Sequence, residues 1–173
     1  MLDSKRLFLR GLEITDLNEK YLRWLNSKNI NKYLETRFKP QTMSSIKKYW
    51  ELHEADQNSP WFAICLKTEE RHIGNIKVGP INWIHRKAEI SLFIGEQDCW
   101  GKGYASEAIE TVKEWAFSQL QLKKLSAGIY ASNIGSIKAF QKCGFIIEGK
   151  LREEVISDGI REDILKMGII NPD

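Results

Sequence analysis

The stretch Cys99-Trp100-Gly101-Lys102-Gly103-Tyr104-Ala105-Ser106 sets two glycines between a strand-like run and a strongly helical one. Backbone N–H groups converge at a glycine-opened helix N-terminus, where the helix dipole is positive, so such a turn can hold a diphosphate and implies a nucleotide-tailed cofactor. A glycine turn by itself is equally a plain chain reversal. Upstream, Ala88-Glu89-Ile90-Ser91-Leu92-Phe93 alternates with period two, which puts Glu89 on one face with Ser91 and Phe93. A carboxylate there is a candidate general base, or half of an ion pair with Lys87 or Arg86. Downstream, Asn133-Ile134-Gly135-Ser136-Ile137-Lys138-Ala139-Phe140-Gln141-Lys142-Cys143-Gly144-Phe145 begins with a helix-capping asparagine and closes on glycine.

Composition narrows the classes of function. The 173 residues suffice for one domain over 1–173 with a core of its own, and 42% are apolar. A net charge of +3 with interspersed acids and bases lacks the concentrated basic face of a nucleic-acid binder. Cys65, Cys99 and Cys143 are odd in number and far apart, and His53, His72 and His85 show no ligand spacing, so neither a disulfide framework nor a metal site is expected. No apolar run approaches a bilayer span, and reduced thiols fit a cytoplasmic protein without a membrane partner.

The elements that must position these groups follow from patterning. Lys5–Arg10 alternates as a strand, and Asp16 opens a helical pattern through Leu17, Tyr21, Leu22, Trp24 and Leu25. A short helical piece at Ile30–Leu34 leads into a loop ending at Pro40, and Thr42 can cap the helix that follows. Three strands are expected at Trp61–Lys67, Arg71–Val78 and Lys87–Ile94, the first two as a hairpin. Then come a helix over Tyr104–Leu120, a strand over Leu125–Tyr130, a helix over Ile134–Lys142, and strands at Phe145–Ile156 and Glu162–Ile170 around Ser157-Asp158-Gly159. That order predicts a mixed α/β (α+β) layer fold with a mainly antiparallel sheet.

The two glycine-bearing stretches resemble the acetyl-CoA signatures of the GNAT superfamily of N-acetyltransferases. Trp100-Gly101-Lys102-Gly103-Tyr104-Ala105 is similar to the pattern Gln/Arg-x-x-Gly-x-Gly/Ala, departing at Trp100, and Asn133, Ser136, Lys142, Gly144 and Phe145 match the second signature. The order of elements along almost the whole chain is also the family's. Within it, Arg6–Arg10 and Trp100–Ala105 look most like the RimJ/RimL-like subgroup, which acetylates ribosomal-protein N-termini. The resemblance implies a sheet splayed into a V-shaped slot, with helices on both faces. Coenzyme A would enter it, its pantetheine against backbone at Leu92, Phe93 and Ile94 and its diphosphate on the N–H groups of Gly101 to Ser106, with charge from Lys102 and a contact from Asn133. Side chains larger than glycine at 101 and 103 would crowd that approach.

The implied reaction is direct attack of a primary amine on the acetyl thioester, with Glu89 as base. The family's usual acid is a tyrosine, and its position here holds Phe140. Tyr130 or Ser136 could substitute, or the thiolate could leave without a dedicated acid; Tyr130 also fits a core position. Arg37, Phe38, Trp83 and His85 are candidates for lining the acceptor side. The resemblance puts a protein or peptide N-terminus first as acceptor, an amino-sugar nucleotide second and a polyamine third; a non-catalytic acyl-CoA sensor is the rival class, and a homodimer is compatible with the chain.

Overall fold

The computed structural model describes residues 1–172. Strands β1 (Leu2–Asp3), β2 (Leu7–Gly11), β3 (Trp61–Leu66), β4 (His72–Val78), β5 (Lys87–Ile94), β6 (Lys124–Tyr130), β7 (Ile146–Ser157) and β8 (Ile160–Ile170) form one sheet. Their order is β1-β2-β3-β4-β5-β6-β8-β7, and every neighbouring pair is antiparallel except β5 and β6. Helices α1 (Glu19–Asn26), α2 (Lys28–Asn31), α3 (Met43–His53), α4 (Tyr104–Ser118) and α5 (Ile134–Lys142) complete it.

Local signals explain most of the boundaries. Thr42 accepts from the Ser45 N–H and starts α3, and Asn133 accepts from the Ser136 N–H at 3.2 Å and starts α5. Asp158 and Gly159, both at positive φ, make the two-residue turn between β7 and β8. The chain departs from expectation at several places, among them the short helix expected at Ile30–Leu34, which is α2 at Lys28–Asn31. The two-residue β1 adds an edge to β2. Glu35–Phe38 forms a 3₁₀ turn, and α1 begins at Glu19 because Asn18 caps it; the Asp16 carboxylate is engaged elsewhere.

Two cores flank the sheet. One joins Ala88 and Ile90 of β5, Leu125, Ala127 and Ile129 of β6, and the buried faces of α4 and α5. The other joins Tyr21, Trp24 and Leu25 of α1 with Ile46 of α3 and Ala63 and Cys65 of β3, and Phe93 packs against it. Alternation therefore turns Glu89, Ser91 and Phe93 toward the α1–α3 side, together with Ser126, Gly128 and Tyr130. No described helix is long and apolar enough to cross a membrane.

Beneath α1 lies a buried polar cluster. Arg10 donates to both carboxylate oxygens of Asp16, at 2.6 and 2.7 Å. His72 stands 3.7 Å from Asp16, against Tyr21 and Trp24, with its Nε2 on the Gly74 carbonyl at 2.9 Å. Burial pulls His72 down to about 4; Asp16 opposes that shift, while Lys20 and Arg10 add to it. A depressed histidine contributes its stability above the unfolded-state value of about 6.5 and loses it as pH falls toward the folded value. Unfolding free energy should thus drop by about 3 kcal/mol on this account between pH 7 and pH 4. Urea denaturation across that range measures it, and His72→Gln should flatten the slope by the same amount.

Candidate active site

The pairing register opens a gap in the middle of the sheet. β5 and β6 are joined only at Lys87–Lys124, Ala88–Leu125 and Glu89–Ser126, after which β5 pairs with β4 alone and β6 with β8 alone. Gly79 N–H donates to the Glu89 carbonyl and Gly95 N–H to the Ile73 carbonyl. Odd-numbered residues of β5 therefore turn their backbone toward β4, and Leu92 and Ile94 turn theirs into the gap. Phe93 does not: its backbone faces Asn75 and its ring packs on Tyr21 and Trp24, which corrects its expected place along the slot. The Trp100 indole N–H donates to the Ile94 carbonyl at 2.8 Å and closes the end of this open edge.

Past that end the chain makes the glycine turn. Gly101 and Gly103 have φ of +72° and +81°, and Gly103 is the N-cap of α4, with no side-chain cap on the helix. The amides of Tyr104, Ala105 and Ser106 thus begin the helix without an internal partner, the condition for anion binding. Within the chain nothing crowds these glycines: a Cβ on Gly101 would meet nothing within 4 Å, and one on Gly103 only Arg6 Nη2 at 3.6 Å. The left-handed backbone by itself favours glycine at both.

At the closed end of the gap, Glu89 is half-exposed, and its Oε1 lies 3.3 Å from Lys166 Nζ on β8, replacing the expected partners Lys87 and Arg86. Gly128 keeps the space beside it open, since a Cβ there would stand 3.3 Å from Glu89 Oε1 and 3.1 Å from Lys166 Nζ. Two residues on, Tyr130 donates to Glu35 at 2.7 Å and accepts from Arg37 at 2.8 Å. Arg37 also bonds the Ile156 carbonyl at 2.6 Å and lies over the Phe38 ring. Burial, then the Glu35 hydrogen bond, raise the Tyr130 phenol above its ordinary value. The Tyr130 hydroxyl donor is thus spent on Glu35, whereas the suggested acid role needs it for the thiolate.

The other expected residues separate. Trp83 and His85 sit in the connection before β5, where the Trp83 indole donates to Asn58 at 2.7 Å and His85 is exposed. Arg37 and Phe38 lie near the end of β6, so the four do not form one lining. Phe140 is fully buried edge-to-face on Phe145. Asn133 spends its side-chain oxygen on the α5 cap, and the half-buried Ser136 hydroxyl makes no hydrogen bond among the described residues. Lys102 is exposed. Gly128, Glu35 and Lys166 escaped the sequence reading, and Trp100 entered it only as a departure from the signature, because only strand register and tertiary approach reveal what they touch.

Comparison with known proteins gives the same outline. Residues 6–146 match the model of the acetyltransferase (GNAT) domain. A probable N-acetyltransferase of Bacillus subtilis, YjcK, is 31% identical, with 100% of this chain and 98% of that protein covered. The spermidine N(1)-acetyltransferase of Vibrio cholerae is 27% identical over 96% of this chain and 94% of its own. The crystal structure of V. cholerae spermidine N-acetyltransferase with CoA and spermine superposes with a TM-score of 0.86 at 28% identity, covering 95% of each chain. These relatives are not named for the RimJ/RimL-like activity that the sequence suggested. A splayed sheet, an uncapped glycine turn at the open end of its gap and a family match spanning both make this chain a member of the GNAT family, an N-acetyltransferase.

Proposed function

We propose that this chain transfers the acetyl group of acetyl-CoA to a primary amine of a polyamine of the spermidine type. The observation that carries the acceptor is the full-length similarity to spermidine acetyltransferases, together with two carboxylates, Glu89 and Glu35, on the α1–α3 face of the gap. Glu89 lies level with Ser126 and Glu35 bonds the Tyr130 hydroxyl, so the two carboxylates stand at different levels along β6. Such spacing suits an acceptor with more than one ammonium group. A lone α-amine uses one carboxylate only.

The residues present fit acetyl-CoA. The Leu92 backbone and the Ile94 N–H face the slot and can meet the pantetheine as a neighbouring strand would, the Ile94 carbonyl being engaged by Trp100, and the Gly101–Ser106 turn receives the diphosphate. Asn133, its oxygen committed to capping α5, has its amide N–H₂ left for the pantetheine. The coenzyme brings the activated acetyl group. Glu89 accepts the ammonium proton, directly or through one water, and so frees the amine lone pair for attack. Gly128 leaves room for the amine beside that carboxylate. With Phe140 unable to donate, the Ser136 hydroxyl can donate to the leaving thiolate.

A panel of acceptors at equal concentration tests the reading, with thiol release followed by a chromogenic disulfide. Spermidine and spermine should exceed an N-terminal peptide amine and an amino-sugar nucleotide by tenfold or more in kcat/KM. Preference for the peptide or the sugar nucleotide overturns the acceptor; acetyl-CoA binding without turnover on any amine overturns catalysis in favour of a sensor.

A further inference from the structure

Where the diphosphate signature expects glutamine or arginine, this chain has Trp100, and that indole is engaged with the Ile94 carbonyl. A guanidinium reaches the same turn from the other end of the chain. Arg6, just ahead of β2, donates from Nη1 to the Lys102 carbonyl at 3.0 Å and from Nε to Glu107 Oε2 at 2.7 Å, with its Cζ 4.4 Å above the Tyr104 ring. Glu107 is fixed in turn, since its Oε1 accepts from the Arg6 backbone N–H at 2.6 Å and from the Ser4 hydroxyl at 2.9 Å. Burial pushes the Glu107 carboxyl up, and these Arg6 and Ser4 donors outweigh it and hold it below its ordinary value. Arg6 Nη2 makes no hydrogen bond among the described residues and lies 3.6 Å from where a Cβ on Gly103 would stand. Lys102, by contrast, has no hydrogen bond or ion pair from its side chain among the described residues.

We propose that Arg6 is a phosphate-binding residue of this enzyme, its free Nη2 donating to the coenzyme diphosphate held on the Gly101–Ser106 turn. This rests on reading the turn as the diphosphate site. A guanidinium already held by the Lys102 carbonyl, Glu107 and the Tyr104 ring has little side-chain freedom left to lose, so the charge-assisted bond is made at low entropic cost. Arg6 thereby brings to the turn the donor that the signature position lacks.

Calorimetric titration of CoA, 3′-dephospho-CoA and pantetheine into the wild type, Arg6→Gln and Arg6→Lys tests the assignment, with thermal melts alongside. Arg6→Gln should weaken CoA and 3′-dephospho-CoA alike by about tenfold and leave pantetheine unchanged, and Arg6→Lys should recover part of the loss because it keeps the charge without the fork. Equal weakening of all three ligands, or of none, overturns the proposal and leaves Arg6 as a strap between β2 and α4. Weakening of CoA alone moves the contact to the 3′-phosphate and overturns it equally. Failure of the wild type to bind any of the three defeats the reading of the turn itself, an outcome distinct from a wild type that binds and an Arg6→Gln variant that binds as well.

Discussion

Glu89→Gln is expected to lower kcat/KM for the amine by about 100- to 10,000-fold, the span of a positioned general base, while the Kd for acetyl-CoA stays within about twofold. The substitution keeps the shape of the side chain and removes its negative charge and its capacity to take a proton. Glu89 sits at the last paired position of β5 and β6, facing away from the α4–α5 core, with Gly128 leaving space at its side. Little stability rides on the change, because the ion pair to Lys166 joins two half-exposed groups and such pairs are worth under about 1 kcal/mol. Lys166→Met is the matching control: it leaves the carboxylate in place and should alter kcat by less than about fivefold. Stopped-flow or steady-state rates with spermidine, beside calorimetry with acetyl-CoA, separate the two. Full activity in Glu89→Gln would remove this residue from the chemistry.

How far the chain could be read depended on the range over which each signal acts. α5 was legible to the residue because its cap, Asn133, and its terminating Gly144 lie within the segment they bound. β5 was legible for the same reason, as was the Ser157-Asp158-Gly159 turn. The gap itself came through the family resemblance; in the molecule it arises from register, since β5 keeps three partners on β6 and then loses them. Alternation placed Glu89 and Phe93 on one face correctly, yet it could not tell that Phe93 turns its backbone to β4. Tyr130 shows the limit most clearly. Its environment is made by Glu35 and Arg37, almost a hundred residues earlier, and that company turns a conceivable proton donor into a tether for the 3₁₀ turn. Trp100 departs from the signature in sequence and takes up a structural duty, capping the slot strand, that no spacing rule anticipates.

The second large effect is expected from a methyl group. Gly74 of β4 stands opposite Ile94 at the rim of the gap, and a Cβ there would overlap the Phe93 carbonyl oxygen and come within 2.9 Å of the Ile94 Cα. Both obstacles are backbone, so neither can rotate aside; relief requires β4 and β5 to part where β5 forms the slot wall. Gly74→Ala should therefore cost about 3 kcal/mol, the upper end of overpacking penalties, and lower Tm by about 6–12 °C in a chain of this size. Coenzyme affinity should fall with it, because Leu92 and Ile94 move. Gly95, one residue beyond β5, makes the informative contrast. A Cβ on it would also intrude, overlapping the Trp24 ring, but this obstacle is a side chain that can be shortened. Gly95→Ala alone should be destabilising by about 2 kcal/mol, and in a Trp24→Leu background the same substitution should cost under about 1 kcal/mol. Gly74→Ala should keep its full cost in that background. Denaturant melts of the single and double variants decide the matter, and a Gly74→Ala protein as stable as the wild type would mean that the β4–β5 pairing at the mouth of the slot yields freely.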